Sequence, residues 1–181
     1  QTLPAAAGMW VADTNQHRIV QWDTGEAIAG EYPAAHPDLR PGRKFPFAMA
    51  LDPQQRLWVL VANGGMRQAD VLVMDRQLQP ERVVALSAQQ DPNGIVRLGQ
   101  QMLITDMSQF TVYRRDPQGR PLAAFGDAAF QAELAAARGQ AQRLRHLPTL
   151  LLASIGVLIL LALVFAWKAG ELRQLRGSAW R

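Results

Sequence analysis

Residues 9–26, MWVADTNQHRIVQWDTGE, decide how this chain is read. They contain an apolar run at 10–12, a polar turn, and a second run at 18–22 that ends on Asp23. Two later stretches repeat the plan. In RLWVLVANGGMRQADVLVMD, residues 56–75, runs at 57–61 and 71–74 flank Asn63-Gly64-Gly65 and end on Asp75. In QMLITDMSQFTVYRRD, residues 101–116, runs at 102–105 and 111–114 end on Asp116. Each copy then turns, through Thr24-Gly25, residues 76–80 or residues 117–119, toward a further short strand near Ile28, Val83 or Ala123. From Asp23 to Asp75 is 75 − 23 = 52 residues and from Asp75 to Asp116 is 116 − 75 = 41. The longer interval holds a Pro-rich insertion, EYPAAHPDLRPGRK at 31–44. Without it the period is near 40, the length of a four-stranded β-propeller blade.

The physics of such a blade suits the composition of the runs. A small four-stranded sheet buries both faces only between neighbouring sheets, so its strands read as continuous apolar segments such as LWVLVA and MLIT rather than as alternating ones. Gly, Asn, Asp and Pro between the runs supply tight-turn geometry. The expectation is three antiparallel blades within residues 1–126. The first is expected to lack a strand, because QTLPAAAG at 1–8 does not read as one. A closed propeller has at least four blades. An open arc of three would expose an apolar sheet face at each end, so further blades before Gln1, or another chain, are expected to cover them.

The segment VADTNQHRIVQWD, residues 11–23, resembles the NHL repeat. The usual form of that repeat runs valine-alanine-aspartate, a short asparagine/histidine turn, arginine followed by isoleucine or valine, and an aspartate-glycine turn. The third copy matches through Asp106, Val112, Asp116, Gly119 and Phe125-Gly126. The second departs from the pattern, with Val61 where Asp13 and Asp106 stand. The resemblance covers residues 8–127 and implies a propeller, frequently extracytoplasmic. Some propellers resembling this one are lactone hydrolases with a central calcium held by Glu, Asn and Asp, but that ligand set does not map onto these residues.

Charge divides the chain. Residues 1–126 carry 12 Lys/Arg and 12 Asp/Glu; residues 127–181 carry 7 and 3, so 7 − 3 = 4 accounts for the whole net +4. A nucleic-acid-binding domain concentrates basic charge on its folded part, so no nucleic-acid partner is expected. With no cysteine, disulfides and thiolate metal sites are excluded.

Residues 147–167, LPTLLLASIGVLILLALVFAW, are 21 residues without a formal charge. As a helix they extend about 31 Å, the thickness of a bilayer's hydrocarbon core. Pro148 suits the first turn. Arg143 and Arg145 before the span, and Trp167 and Lys168 after it, suit the two headgroup regions. A single transmembrane helix is therefore expected rather than a buried core helix. It holds no ionisable group, which reads as an anchor rather than a conduit. Ala162, Ala166 and Gly170 recur four apart, with Gly156 higher up, a spacing that lets another helix approach. Arg138, Arg143 and Arg145 stand against Lys168, Arg173, Arg176 and Arg181; three against four does not decide orientation, and the four-residue side favours a cytoplasmic C-terminus.

Between blade and span, residues 127–146 read as a juxtamembrane helix capped by Asp127, with Phe130, Leu134, Ala137, Ala141 and Leu144 on one stripe. Its stripe packs on the propeller or docks a partner subunit. Residues 168–181 read as a basic interfacial tail, with Leu172, Leu175 and Trp180 among arginines.

No phosphate loop or nucleophile elbow is present. His17, His36 and His146 share no ligand spacing. Asp13 and Asp106 sit at equivalent strand ends and read as turn-binding carboxylates rather than a catalytic pair; Arg18 reads as pairing locally rather than binding an anion. No catalytic residue, metal site or cofactor is assigned. Two functions remain open: a membrane-anchored propeller serving as an interaction module or accessory subunit of a larger complex in a bacterial-type inner membrane, with other membrane subunits and the lipid bilayer as partners and the propeller outside the cytoplasm; or a tethered extracytoplasmic propeller enzyme, a lactonase-like hydrolase or lyase. The residues lining the central channel discriminate between them.

Overall fold

The computed structural model describes residues 1–5, 8–65, 68–84, 86–87 and 90–178. It divides into two compact units, residues 1–135 and 136–181. The first holds three antiparallel sheets in which each strand pairs with the next in sequence. Blade 1 is β1 (Thr2–Ala5), β2 (Gly8–Asp13), β3 (Arg18–Trp22) and β4 (Ile28–Pro33). Blade 2 is β5 (Phe45–Leu51), β6 (Leu57–Ala62), β7 (Asp70–Met74) and β8 (Pro80–Val84). Blade 3 is β9 (Pro92–Leu98), β10 (Gln101–Asp106) and β11 (Thr111–Arg115).

The propeller-blade reading of the repeat holds, but the incomplete blade is the third and not the first. Thr2–Ala5 is a strand, with Leu3 opposite Trp10 and Pro4 opposite Met9. It lies at the sheet's edge, where a proline without an N–H is tolerated, and Leu3 packs into the core. In blade 3 the segment near Ala123 forms no strand. Its pairing with β11 stops at the bridge between Arg115 and Pro121 and one further bond, from Leu122 N to Arg114 O at 3.0 Å. Pro121 removes a ladder donor, and the chain then leaves the sheet through Gly126, at φ 86°, where a Cβ would collide with the Phe130 ring.

Blade 2 is the centre of the core. Every residue of β6 and β7 is buried, and their side chains alternate between two apolar layers. Leu57, Val59, Val61, Leu72 and Met74 pack with Ile19 and Ala12 of blade 1. Trp58, Leu60, Val71 and Val73 pack with Ile95, Met102 and Ile104 of blade 3. The insertion at 31–44 is not a free loop: Ala34 and Leu39 are buried in the layer between blades 1 and 2. The outer faces of blades 1 and 3 carry exposed apolar side chains, although Val20 and Leu103 at their centres are buried. On blade 1 Met9, which alternates with the inward Trp10, is 45% exposed. On blade 3 Val96 and Leu98 are each 53% exposed.

Helix α1 (Ala128–Arg145) starts behind Asp127, whose Oδ1 accepts the Phe130 N–H at 2.9 Å, the N-cap bond expected from the sequence. The Phe125 and Phe130 rings meet edge to face, 5.8 Å apart. Helix α2 runs without a break over Leu147–Ser178. Residues 168–178 thus continue α2 rather than forming a separate helix; Trp180 and Arg181 lie outside the described residues. Among the described residues, one helical stretch is long and apolar enough to cross a membrane, and its apolar window is unburied; Phe165, for example, is 73% exposed.

Trp58 joins the packing of blades 2 and 3 to a hydrogen bond, donating Nε1–H to buried Asp52 Oδ2 at 3.1 Å. Trp58→Ala is expected to lower stability by about 3–5 kcal/mol, measured by chemical denaturation of the detergent-solubilised chain. A loss below about 1 kcal/mol would contradict this packing.

Candidate functional site

An antiparallel meander sends alternate turns to opposite ends of each blade. At one end, four aspartates build the same loop. Asp23 Oδ1 accepts the N–H groups of Gly25 and Ala27 at 2.8 and 2.9 Å; Asp52, those of Gln54 and Arg56 at 2.8 and 2.9 Å; Asp75, those of Gln77 and Gln79 at 2.9 and 2.8 Å; Asp116, those of Gln118 and Arg120 at 3.0 and 2.8 Å. The residue third after each aspartate is left-handed: Glu26, Gln55, Leu78 and Gly119 have φ of 61°, 61°, 58° and 87°. The carboxylate satisfies donors that this turn leaves unpaired. Asp23, Asp75 and Asp116 were the sequence anchors. Asp52 was missed because it belongs to a different hairpin, β5–β6. Its signal was present: DPQQR at 52–56 nearly repeats DPQGR at 116–120, and Arg56 and Arg120 close on their aspartates at 2.7 and 2.6 Å.

At the other end, carboxylates tie turns to the connections between blades. Asp13 accepts from Arg18 Nε at 3.0 Å, and Arg18 Nη1 reaches Glu31 at 2.5 Å; these carboxylates, Asp13 first, raise the Arg18 pKa over the opposing effect of desolvation. Asp106 accepts the Asp91 N–H at 2.8 Å and the Ser108 hydroxyl at 2.8 Å. In blade 2, Val61 faces Asp70 across the β6–β7 pair. The carboxylate missing from Val61 is therefore supplied by the opposite strand, and Asp70 accepts from Arg40 N at 2.9 Å and Nε at 3.2 Å. His17 Nδ1 lies 2.7 Å from Lys44 O, and its ring stands edge-on to Phe45. His36 Nδ1 accepts the Asp38 N–H at 3.1 Å. Asp13 and Asp106 thus brace turns in separate blades and share no partner in these bonds. Among the described residues no group of three His, Asp or Glu could hold a metal.

Strand β5 packs between β1 and β9, so the first strands of all three blades adjoin. They border a groove of about 510 Å³. Leu3, Met49, Leu51, Ile95 and Val96 form its apolar walls, Gln1 and Gln55 add polar ones, and Arg97 is its charged residue.

The remaining sequence-selected positions lie on the helices. Gly156, Ala162 and Ala166 are exposed on α2, and Gly170 belongs to the same helix. At about 100° per residue, Ala162, Ala166 and Gly170 fall within an arc of about 80°, whereas Gly156 lies about 120° from Ala162. Arg143 is exposed on α1, which ends at Arg145; Trp167 and Lys168 are exposed on α2.

No protein-family model and no curated protein matches this sequence. The blades do resemble solved propeller-type structures. A streptogramin B lyase matches with a TM-score of 0.52 at 16% identity, over 67% of this chain and 38% of that one. BamB from Moraxella catarrhalis matches with a TM-score of 0.51 at 17% identity, over 70% and 34%. Virginiamycin B lyase from Staphylococcus aureus matches with a TM-score of 0.51 at 13% identity, over 67% and 40%. The chain spans about a third to two fifths of these proteins' length, and the likeness is one of fold: a partial β-propeller.

Asp116 gives the aspartate loops a measurable signature. Desolvation would raise its pKa, but bonds from the Arg120 side chain, Arg120 N and Gln118 N outweigh it and hold the pKa low. A depressed carboxylate pKa contributes stability fully present above the unfolded value of about 3.9 and lost as pH falls through the folded one. Asp116→Asn should therefore flatten the fall of melting temperature below about pH 4. An unchanged acid slope would contradict the role given to Asp116.

Proposed function

We propose that this chain is a membrane-anchored β-propeller interaction module, an accessory or scaffold subunit of a larger membrane assembly. The observation that carries the reading is the exposed apolar side chains on the outer sheet face at each end of the blade arc, Met9 on one side and Val96 and Leu98 on the other. A soluble monomer rarely leaves such surface in water. Further blades are the natural cover, because strands of the same pleat and twist reproduce the two layers that already enclose blade 2. The NHL-like pattern of residues 11–23 belongs to this reading.

The apolar stretch of α2 serves as the anchor, flanked by Arg143 and Arg145 on one side and Trp167 and Lys168 on the other. The propeller stands outside the cytoplasm and the C-terminus inside, in an inner-type membrane. The arc of Ala162, Ala166 and Gly170 is the face on which a neighbouring membrane helix packs.

The test is isolation in mild detergent. The chain is expected to co-migrate with other membrane subunits on native gels. Ala166→Phe should weaken that association at least several-fold while membrane integration persists, because bulk is added where close approach is needed. Isolation of wild type as a free monomer, or an Ala166→Phe variant that assembles normally, would contradict the reading.

A further inference from the structure

Among the described residues blade 3 has no fourth strand, so its third strand, β11, is an edge. The bonds beside it show how that edge is oriented. Leu122 N donates to Arg114 O at 3.0 Å and Asp116 N to Arg120 O at 3.1 Å, which together close the bridge between Arg115 and Pro121. Backbone groups of successive strand residues alternate between the two sides of the strand. Those of Arg114 therefore point away from β10, and so do those of Val112. Among the described residues only Arg114 O has a partner on this side; Arg114 N–H, Val112 N–H and Val112 O have none.

In the other two blades the equivalent place is filled. Ile19, Val71 and Val112 each stand four residues before their loop aspartates. Ile19 pairs with Tyr32 of β4 and Val71 with Val84 of β8, whereas Val112 pairs with Thr105 of β10 alone. The chain peels away after Leu122, and Ala123 and Ala124 are exposed. A cleft of about 410 Å³ is lined by Val112, Tyr113 and Arg114 of β11 and by Pro121, Leu122 and Ala124 of the departing segment. Arg114 brings charge to it. Its Nη1 reaches Ala124 O at 3.5 Å and its Nε donates to Gln101 Oε1 at 3.0 Å; both acceptors are neutral. A strand edge with free ladder groups is a template for a further strand.

We propose that β11 receives an extended acidic segment of a partner protein as the fourth strand of blade 3. The segment runs antiparallel to β11, as β4 and β8 run to β3 and β7. The free groups of Val112 and Arg114 form its ladder, and one of its carboxylates meets Arg114. Four residues of strand, about 13 Å, reach from Thr111 to Arg114. Main-chain bonds give such an addition its affinity, and Arg114 selects the sign of the charge. The inference rests on the interaction-module reading and names the chemistry of one partner.

The probe is the peptide Thr-Val-Glu-Val-Glu-Val-Thr, capped at both ends and fluorescently labelled, titrated against the full chain in nonionic detergent with anisotropy as the readout. Saturable binding is expected, and the same peptide with Lys in place of Glu should bind at least tenfold more weakly. Val112→Pro removes an N–H that faces away from β10, at an edge where proline is tolerated, so binding should fall at least tenfold in a folded blade. Arg114→Glu should invert the preference toward the lysine peptide, and this inversion decides the matter if the proline variant fails to fold. Hydrogen exchange reads the edge directly: the Val112 amide should exchange freely in the isolated chain and be protected by the peptide. No saturable binding, equal binding of the two peptides, or wild-type affinity in Val112→Pro would each overturn the proposal. So would a Val112 amide already protected without peptide, because the chain's own residues would then hold the edge, or a second copy if protection rises with chain concentration. Any of these results with co-migration on native gels intact would leave the interaction-module reading standing.

Discussion

A blade of this kind has two apolar faces and cannot leave both to water. Blade 2 shows the constraint met. Leu57, Val59 and Val61 point into one layer while Trp58 and Leu60 point into the other, so β6 is buried along its whole length. The blades therefore stabilise one another as neighbours, as in other repeat architectures. The arc's two ends remain incomplete in the same sense: each outer face carries exposed apolar side chains, Met9 on one and Val96 and Leu98 on the other, beside polar ones such as Arg18 and Arg114. Fold, stability and proposed role follow from that requirement.

The polar groups fix how the layers meet. At one end the aspartate loops turn each hairpin tightly enough for the next strand to follow. Where Arg56 and Arg82 both donate to Pro117 O, the loop of blade 3 is also bound to blade 2. At the other end Asp70 grips the insertion through Arg40 and Asp106 grips the connection through Asp91 N. Asp70 and Asp106 thus couple a local turn to the placement of a blade, and apolar burial then locks the arrangement.

Much of this was legible in the sequence because it has a period. LWVLVA announced a strand buried on both sides, MLIT announced a strand although Thr105 on its outer side is exposed, and the recurring aspartates marked the turns. What stayed hidden lacked alternation or bulk. In β1, TLPA offers a proline and an alanine, and only its register against Trp10 makes it a strand. In β9, Pro92 and Gly94 disguise the start of blade 3. The exchange of Val61 for Asp70 could not be read along one strand, because it is a cross-strand substitution. The free edge of β11 was hidden because the segment near Ala123 read as a fourth strand, and only the pairing shows that it stops at Leu122. The candidate helix face was readable as spacing, but the roughly 120° offset of Gly156 from Ala162 emerges only from an unbroken helix.

The claim that the open faces are covered in the native assembly can be tested on the methionines. Met9 sits on the uncovered face of blade 1 at 45% exposure, Met107 on an exposed turn at 68%, and Met49, Met74 and Met102 in the core at 1% or less. Native membranes would be treated with dilute peroxide, and sulfoxide formation at each position followed by mass spectrometry. The account predicts that Met9 is protected like Met102 while Met107 oxidises quickly. Oxidation of Met9 at a rate comparable to Met107 would mean that the face stands open to water, and would contradict the account.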